Sequence, residues 1–136
     1  MKYFTIGEMV RSETADRYGI DNRCNKEQAC NLMKLIGNVL DPLREAYGKP
    51  IIVTSGFRCQ RLNAKVGGSA TSHHMRGMAA DIKAQDPKDN VKLFYLVQEL
   101  GLNYTQLIWE KGNDKNPAWV HVSYDENDLR KQILRL

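Results

Sequence analysis

Two of the three histidines and one aspartate stand where they could bind a metal ion together. The chain of 136 residues has three histidines, His73, His74 and His121, and Asp81 lies seven positions after His74. Two imidazoles and a carboxylate form a common catalytic zinc set, because three protein ligands leave a fourth position open for water or substrate. The spacing alone leaves a second interpretation open, in which a buried histidine or strand aspartate is only a hydrogen-bonded structural residue.

The segment WVHVS, residues 119–123, predicts how His121 is presented. Side chains alternate between the two faces of a strand, so Val120 and Val122 share one face and His121 lies on the other. If the valines face the core, His121 faces a cleft.

The segment AADIK predicts the same for Asp81, which lies on the face opposite Ile82. Gly77, between His74 and Asp81, permits the backbone to bend. His74 could then complete a set of three ligands with Asp81 and His121.

The elements that must position these residues form an α+β pattern, a small, mostly antiparallel sheet flanked by helices. Strands are expected at 51–54, 79–83, 105–110 and 119–124. Helices are expected at 5–11, at 25–48 with a kink that Pro42 could cause, after Asp86, and over the tail 126–136. The long loop 55–76, with a helical turn near 61–65, suggests a functional segment.

The composition predicts one domain over residues 1–136. A hydrophobic content of 42% supports a single core, and the net charge of +4 comes from basic residues scattered among acidic ones. That pattern indicates a solvated surface, so we expect a monomer without a nucleic-acid or membrane partner. No run approaches the ~20 apolar residues of a membrane span, and the first residues lack a secretory signal. We therefore expect the protein to be cytoplasmic as synthesised.

The cysteines Cys24, Cys30 and Cys59 are odd in number and form no CxxC pair. Reduced thiols are expected, with a Cys24–Cys30 bridge as the alternative.

Four ordered sequence blocks resemble one known family. Residues 72–81, SHHMRGMAAD, match the S-x-H-x-x-G-x-A-x-D motif of the zinc D-Ala-D-Ala carboxypeptidases. SGFR at 55–58 and NAKVGG at 63–68 are similar to that family's S-G-[FY]-R and N-x-x-V-G-G segments, and WVH at 119–121 is similar to its W-[IV]-H signature. The blocks extend over about half of the chain, from Ser55 to Ser123.

The resemblance implies one zinc ion bound by His74, Asp81 and His121. It also implies a fold shared with other cell-wall metallopeptidases and with the signalling domain of Hedgehog proteins. His73 then lies outside the ligand set, as a solvent-facing or supporting imidazole. Zinc would lower the pKa of a bound water toward ~7 and polarise the scissile carbonyl.

The general base departs from the family pattern. Many relatives have an acidic residue three positions before the last histidine ligand, where this chain has Ala118. The segment 105–110 resembles the Q-L-I-x-E of smaller members, and we expect Glu110 to be the base. Asp114 is the alternative acid, and a merely solvated Glu110 stays open.

Three further residues are expected to contact substrate. Arg58 occupies the family's arginine position and could hold a substrate carboxylate or steady the developing oxyanion, or it could form a structural ion pair. Ser72 could hydrogen-bond substrate or cap a turn. Gln106 shares the strand face of Glu110 and is expected to bind substrate.

These residues together predict a zinc peptidase that hydrolyses peptidoglycan stem peptides next to a D-amino acid. Both carboxypeptidases and endopeptidases occur among such relatives, and the small size and absent signal resemble endolysin-like phage or prophage enzymes. The alternative is a binding module that keeps the fold, and even the metal, without catalysis. Ala118 is the residue that favours it.

Overall fold

The computed structural model describes residues 2–136, in which helices cover one face of a five-stranded sheet. The helices are α1 (Ile6–Val10), α2 (Glu13–Arg17), α3 (Lys26–Leu35), α4 (Asp41–Tyr47), α5 (Gln60–Lys65) and α6 (Asn90–Glu99). The strands are β1 (Ile51–Ser55), β2 (Ala79–Ala84), β3 (Gln106–Glu110), β4 (Trp119–Ser123) and β5 (Gln132–Arg135). Short 3₁₀ turns occupy His73–Arg76 and Pro87–Asp89.

The sheet has the strand order β1-β2-β4-β3-β5. Strands β1 to β4 pair antiparallel, and β5 joins β3 in parallel. The predicted α+β fold is confirmed, and the bounds of β1 to β4 lie within one residue of the predicted ones.

The long helical stretch from α3 to α4 changes register in the middle. Asn25 and Gln28 form a reciprocal capping box at its start. The five residues Ile36–Leu40 form a π-helical turn immediately before the first turn of α4, which contains Pro42. Proline has no N–H and its ring crowds the preceding turn, so the regular α-helical hydrogen bonds break here.

The core lies between the helices and the apolar face of the sheet. Val120, Val122 and Ile82 are fully buried at 0% exposure, as strand alternation requires. Trp109 packs edge-on against Phe94 with ring centroids 5.3 Å apart. The other face of the same strands is left for polar side chains.

The predicted C-terminal helix over residues 126–136 is wrong. Residues 132–135 form β5, whose backbone extends the sheet through Gln132 N–H to Thr105 O at 3.0 Å and Leu136 N–H to Trp109 O at 2.8 Å. The edge of β3 offers unpaired backbone groups, and pairing them outweighs the local helical preference of the tail. Helix α2, capped by Ser12, was not predicted.

Two further observations concern the cysteines and the length of the helices. Cys24, Cys30 and Cys59 are free thiols. None of the helices in residues 2–136 combines the length and apolar character needed to cross a bilayer.

Candidate metal centre

Asp81 and His121 face each other on neighbouring strands. The antiparallel register of β2 and β4 pairs these two residues directly. Paired residues share a sheet face, and the flanking Ile82 and Val120 point into the core on the other side. His121 Nδ1 consequently lies 3.0 Å from Asp81 Oδ1.

His74 reaches the same point from the 3₁₀ turn that precedes β2. Ser72 caps this turn, because its Oγ accepts a hydrogen bond from His74 N–H at 3.1 Å. Gly77 ends it with a φ of +74°, and a Cβ there would lie 2.5 Å from the carbonyl oxygen of Gln28. Only glycine fits both constraints. The structure therefore places His73 and His74 in a short turn of the predicted loop 55–76, ahead of β2.

The ring of His74 has a fixed orientation. Its Nδ1 lies 2.7 Å from Gly56 O, and a carbonyl can only accept, so Nδ1 carries the proton. Nε2 is then free as a ligand atom, 3.4 Å from Asp81 Oδ1. A backbone carbonyl on the far nitrogen is the usual support for a metal-binding imidazole. The rings of His74 and His121 meet at 69° with centroids 5.1 Å apart.

The three donor atoms fit a small cation. One ligand atom from each of His74, Asp81 and His121 lies within 4.8 Å of the others. Ligands about 2.1 Å from a tetrahedral ion stand ~3.4 Å apart, close to the 3.0 and 3.4 Å separations found here. The residues are 3%, 9% and 9% exposed. Two imidazoles and one carboxylate in a buried setting suit zinc.

Arg58 fixes the second oxygen of Asp81. Its Nη2 lies 3.3 Å from Asp81 Oδ2, its Nε donates to Ser55 Oγ at 2.9 Å, and its Nη1 donates to Asn63 Oδ1 at 3.4 Å. A bulge in β1 brings Ser55 opposite Asp81. The structural ion pair that the sequence left open is thus the contact observed, and Oδ1 remains for the imidazoles.

Asp81 is held in its charged form. Burial raises the pKa of this carboxyl, but its contacts with the imidazoles of His121 and His74 outweigh that effect and hold the pKa well below its usual range. Burial also lowers the pKa of Arg58, which the Asp81 carboxylate opposes. A charged carboxylate is available as a ligand at neutral pH without first losing a proton.

A groove of about 420 Å³ opens beside His121. It is lined by Ser69, Thr71, Ser72, His73, Gln106, Ile108, Glu110, His121 and Arg130. Three residues expected to act on substrate, Ser72, Gln106 and Glu110, therefore lie along one groove. Arg58 and Asp114 do not line it, and Asp114 is exposed in the connection between β3 and β4. A larger hollow of about 590 Å³ lies beside α3, away from the three candidate ligands.

Glu110 ends β3 directly across from β4. Its carbonyl accepts from Ala118 N–H at 2.9 Å, so it neighbours the position where many relatives carry their acid. It pairs with Trp119 in the register and is partly buried. Among residues 2–136 no ion pair forms to the Glu110 carboxylate, which is thus free to act on a molecule in the groove.

Gln106 and His73 also line the groove and interact with neighbouring side chains. The Gln106 amide donates to Gln132 Oε1 at 2.8 Å, which leaves its own oxygen available. Burial and the charge of Arg76 lower the pKa of His73, which lines the groove outside the candidate ligand set.

Sequence reasoning missed two residues of this region. Asn63, which is 3% exposed, accepts a hydrogen bond from Arg58. It lies in the NAKVGG block, so the resemblance of that block to the family could have pointed to it. Arg130 lies on an irregular connection where no pattern marks it.

Comparison with known proteins gives two similarities. Residues 2–123 match the family model described as peptidase M15. The chain is also 50% identical over 46 residues to the zinc D-Ala-D-Ala carboxypeptidase of Streptomyces albus G. That alignment covers 33% of this chain and only 18% of the relative.

Proposed function

The chain belongs to the peptidase M15 family, and we propose that it is a zinc-dependent peptidase that hydrolyses peptidoglycan stem peptides next to a D-amino acid. The convergence of His74, Asp81 and His121 beside a polar groove carries the proposal. The name of the Streptomyces relative supports the choice of metal and substrate.

The protein's ligands would hold zinc through His74 Nε2, Asp81 Oδ1 and His121 Nδ1. Bound there, zinc would supply Lewis acidity toward the scissile carbonyl and lower the pKa of water. The hydrogen bond from His74 to Gly56 fixes one ring, and Arg58 fixes the carboxylate. Both contacts keep the donor atoms oriented before any metal arrives.

Glu110 would move the proton. Its carboxylate takes a proton from the attacking water as the water oxygen bonds to the carbonyl carbon, and it returns that proton to the amine nitrogen as the C–N bond breaks. Its position on the groove and its lack of a paired cation within residues 2–136 support this role.

Ser72 and Gln106 would bind the peptide along the groove. Ser72 already accepts from His74 N–H, so its hydroxyl hydrogen remains for a substrate carbonyl. Gln106 offers its oxygen to a peptide N–H. Arg58, which lies outside the groove, would act by positioning Asp81.

Within this activity, we propose that the protein is either an endolysin-like endopeptidase or a D-Ala-D-Ala carboxypeptidase. It would act on the cell wall after its release from the cytoplasm. The second candidate function is a binding module that retains the metal-site fold without catalysis. The absence of an acid at position 118 favours it.

Zinc analysis and wall digestion together test the proposal. The purified chain is expected to hold one equivalent of zinc and to release new amino groups from peptidoglycan, and a chelator should abolish that release. Glu110→Gln should keep the zinc and lose roughly 10²- to 10⁴-fold in rate. Asp114→Asn is the matched control on the neighbouring loop and should cut normally.

Bound zinc without cleavage of any wall type would favour the binding module instead. Full activity in Glu110→Gln, together with loss of activity in Asp114→Asn, would show that Asp114 and not Glu110 is the general base.

A further inference from the structure

Arg130 brings a guanidinium to the groove beside His121. Arg130 lines the groove, and its side chain is 54% exposed. Its contact with Asp128, at 3.7 Å from Nε to Oδ2, is long and solvent-exposed, so it costs little to replace. The donors of this guanidinium are therefore available to a ligand in the groove.

The backbone around Arg130 is held in place on both sides. Lys131 has a φ of +53°, and its N–H donates to Tyr104 O at 3.1 Å. Gln132 begins β5. Before Arg130, Asp128 N–H donates to Asp125 O at 2.9 Å and closes a turn. These anchors restrict where the arginine side chain can reach.

No other arginine among residues 2–136 lines this groove. Arg58 donates to Ser55, Asn63 and Asp81 and does not line it. Glu110 and Arg130 both line the groove, yet they form no ion pair with each other in residues 2–136. The groove thus presents the Glu110 carboxylate, which has no ion pair within residues 2–136, and the Arg130 guanidinium, whose ion pair with Asp128 is long and exposed.

Arg130 lies outside the residues that match the family model. The family match ends at Ser123, whereas Arg130 and β5 follow it. The guanidinium is a feature of the segment that connects β4 to β5.

We propose that Arg130 binds a carboxylate of the substrate peptide and makes this chain prefer stem peptides with a free carboxylate over their carboxamides. A guanidinium offers two parallel N–H donors that match a carboxylate, whereas a carboxamide offers one oxygen and no charge. The inference rests on the proposed function and deepens it. The carboxylate has two sources, the C-terminus of the peptide or an internal glutamate.

Three synthetic peptides that end in D-Ala-D-Ala separate these sources. One carries free carboxylates, one has a C-terminal carboxamide, and one has the internal glutamate carboxylate amidated. The zinc-loaded full chain is titrated with each by calorimetry, and cleavage is followed in parallel. Of the two amidated peptides, the one that lacks the carboxylate bound by Arg130 is expected to bind about 10-fold more weakly than the peptide with free carboxylates. Its KM should be higher by a similar factor, with kcat little changed.

Arg130→Gln should reduce that preference to about twofold or less, and Arg130→Lys should retain part of it. Arg17→Gln, an exposed arginine on α2, is the matched control and should keep the full preference.

Equal binding of all three peptides, or a preference that survives in Arg130→Gln, would overturn the inference. Cleavage without any carboxylate preference contradicts this inference alone. Carboxylate-dependent binding without any cleavage contradicts the proposed function alone. The absence of both binding and cleavage overturns both.

Discussion

Arg58 forms an ion pair with Asp81, Nη2 to Oδ2 at 3.3 Å, and so directs the other carboxylate oxygen toward the imidazoles of the candidate metal centre. The arginine is only 16% exposed on its side chain, and its remaining contacts are to Ser55 and Asn63. Its position makes it a support of the ligand set.

Loss of this support should weaken metal binding. Arg58→Gln is expected to lower zinc affinity by roughly 10- to 100-fold, because the carboxylate loses both its orientation and its balancing charge. Competition with a chromophoric chelator measures this. Arg61→Gln, exposed on α5 of the same loop, should bind zinc normally. Unchanged zinc affinity in Arg58→Gln together with a lost kcat would return Arg58 to a direct role on substrate.

The ligand register can be tested with the two adjacent histidines. His74→Ala is expected to remove zinc, because it removes a donor, and His121→Ala should do the same. His73→Ala should keep zinc at close to one equivalent, since His73 lines the groove outside the ligand set. Metal content after dialysis distinguishes the variants. A His73→Ala protein without zinc would show that the register is shifted by one residue.

The alternation of side chains along a strand predicted the positions of two of the three candidate ligands. Val120 and Val122 are apolar neighbours that fix the face of His121, so its direction follows from local sequence. The same holds for Asp81 beside Ile82. These positions need no knowledge of distant contacts.

Long-range contacts decided what the sequence could not predict. The tail became β5 because β3 presents an open edge, which no pattern within residues 126–136 reveals. The ion pair of Arg58 with Asp81 joins residues 23 positions apart, and either partner alone looks free in the sequence. Arg130 meets the groove only after the chain has turned at Lys131.

Gly77 should tolerate no side chain. Gly77→Ala is expected to destabilise the fold by about 1–3 kcal/mol, because its φ is +74° and a Cβ would lie 2.5 Å from Gln28 O. Relief of that clash would also displace the turn that carries His74. Denaturant unfolding and zinc affinity measure the two effects. The control Gly37→Ala has open space around its Cβ and should be neutral or slightly stabilising. Equal stability in both variants would contradict the strain argument.

Tyr47 gives a pH dependence away from the metal centre. Burial and the hydrogen bond from its hydroxyl to Asp89, 2.6 Å long, raise the pKa of Tyr47 from 10.0 to about 12. A raised folded-state pKa adds stability that is fully present below pH 10 and is lost as the pH rises through about 12.

Tyr47→Phe lacks this titration. The stability advantage of the wild type over Tyr47→Phe should therefore be constant below pH 10 and shrink between pH 10 and about 12, by on the order of 1 kcal/mol once solvent screening of this partly exposed side chain is allowed for. Urea unfolding at a series of alkaline pH values measures the difference. A constant difference through pH 12 would show that this hydroxyl gains nothing from its contact.

The pairing of Asp81 with His121 brings together residues 40 positions apart. Such a contact closes a loop that includes α6 and β3, at an entropic cost, and proteins rich in distant contacts fold more slowly than those rich in local ones. We therefore predict that the metal site is completed late in folding, too late for zinc to guide the early steps. Zinc should accordingly lengthen the lifetime of the folded protein by slowing unfolding, while the refolding rate stays nearly the same with or without it.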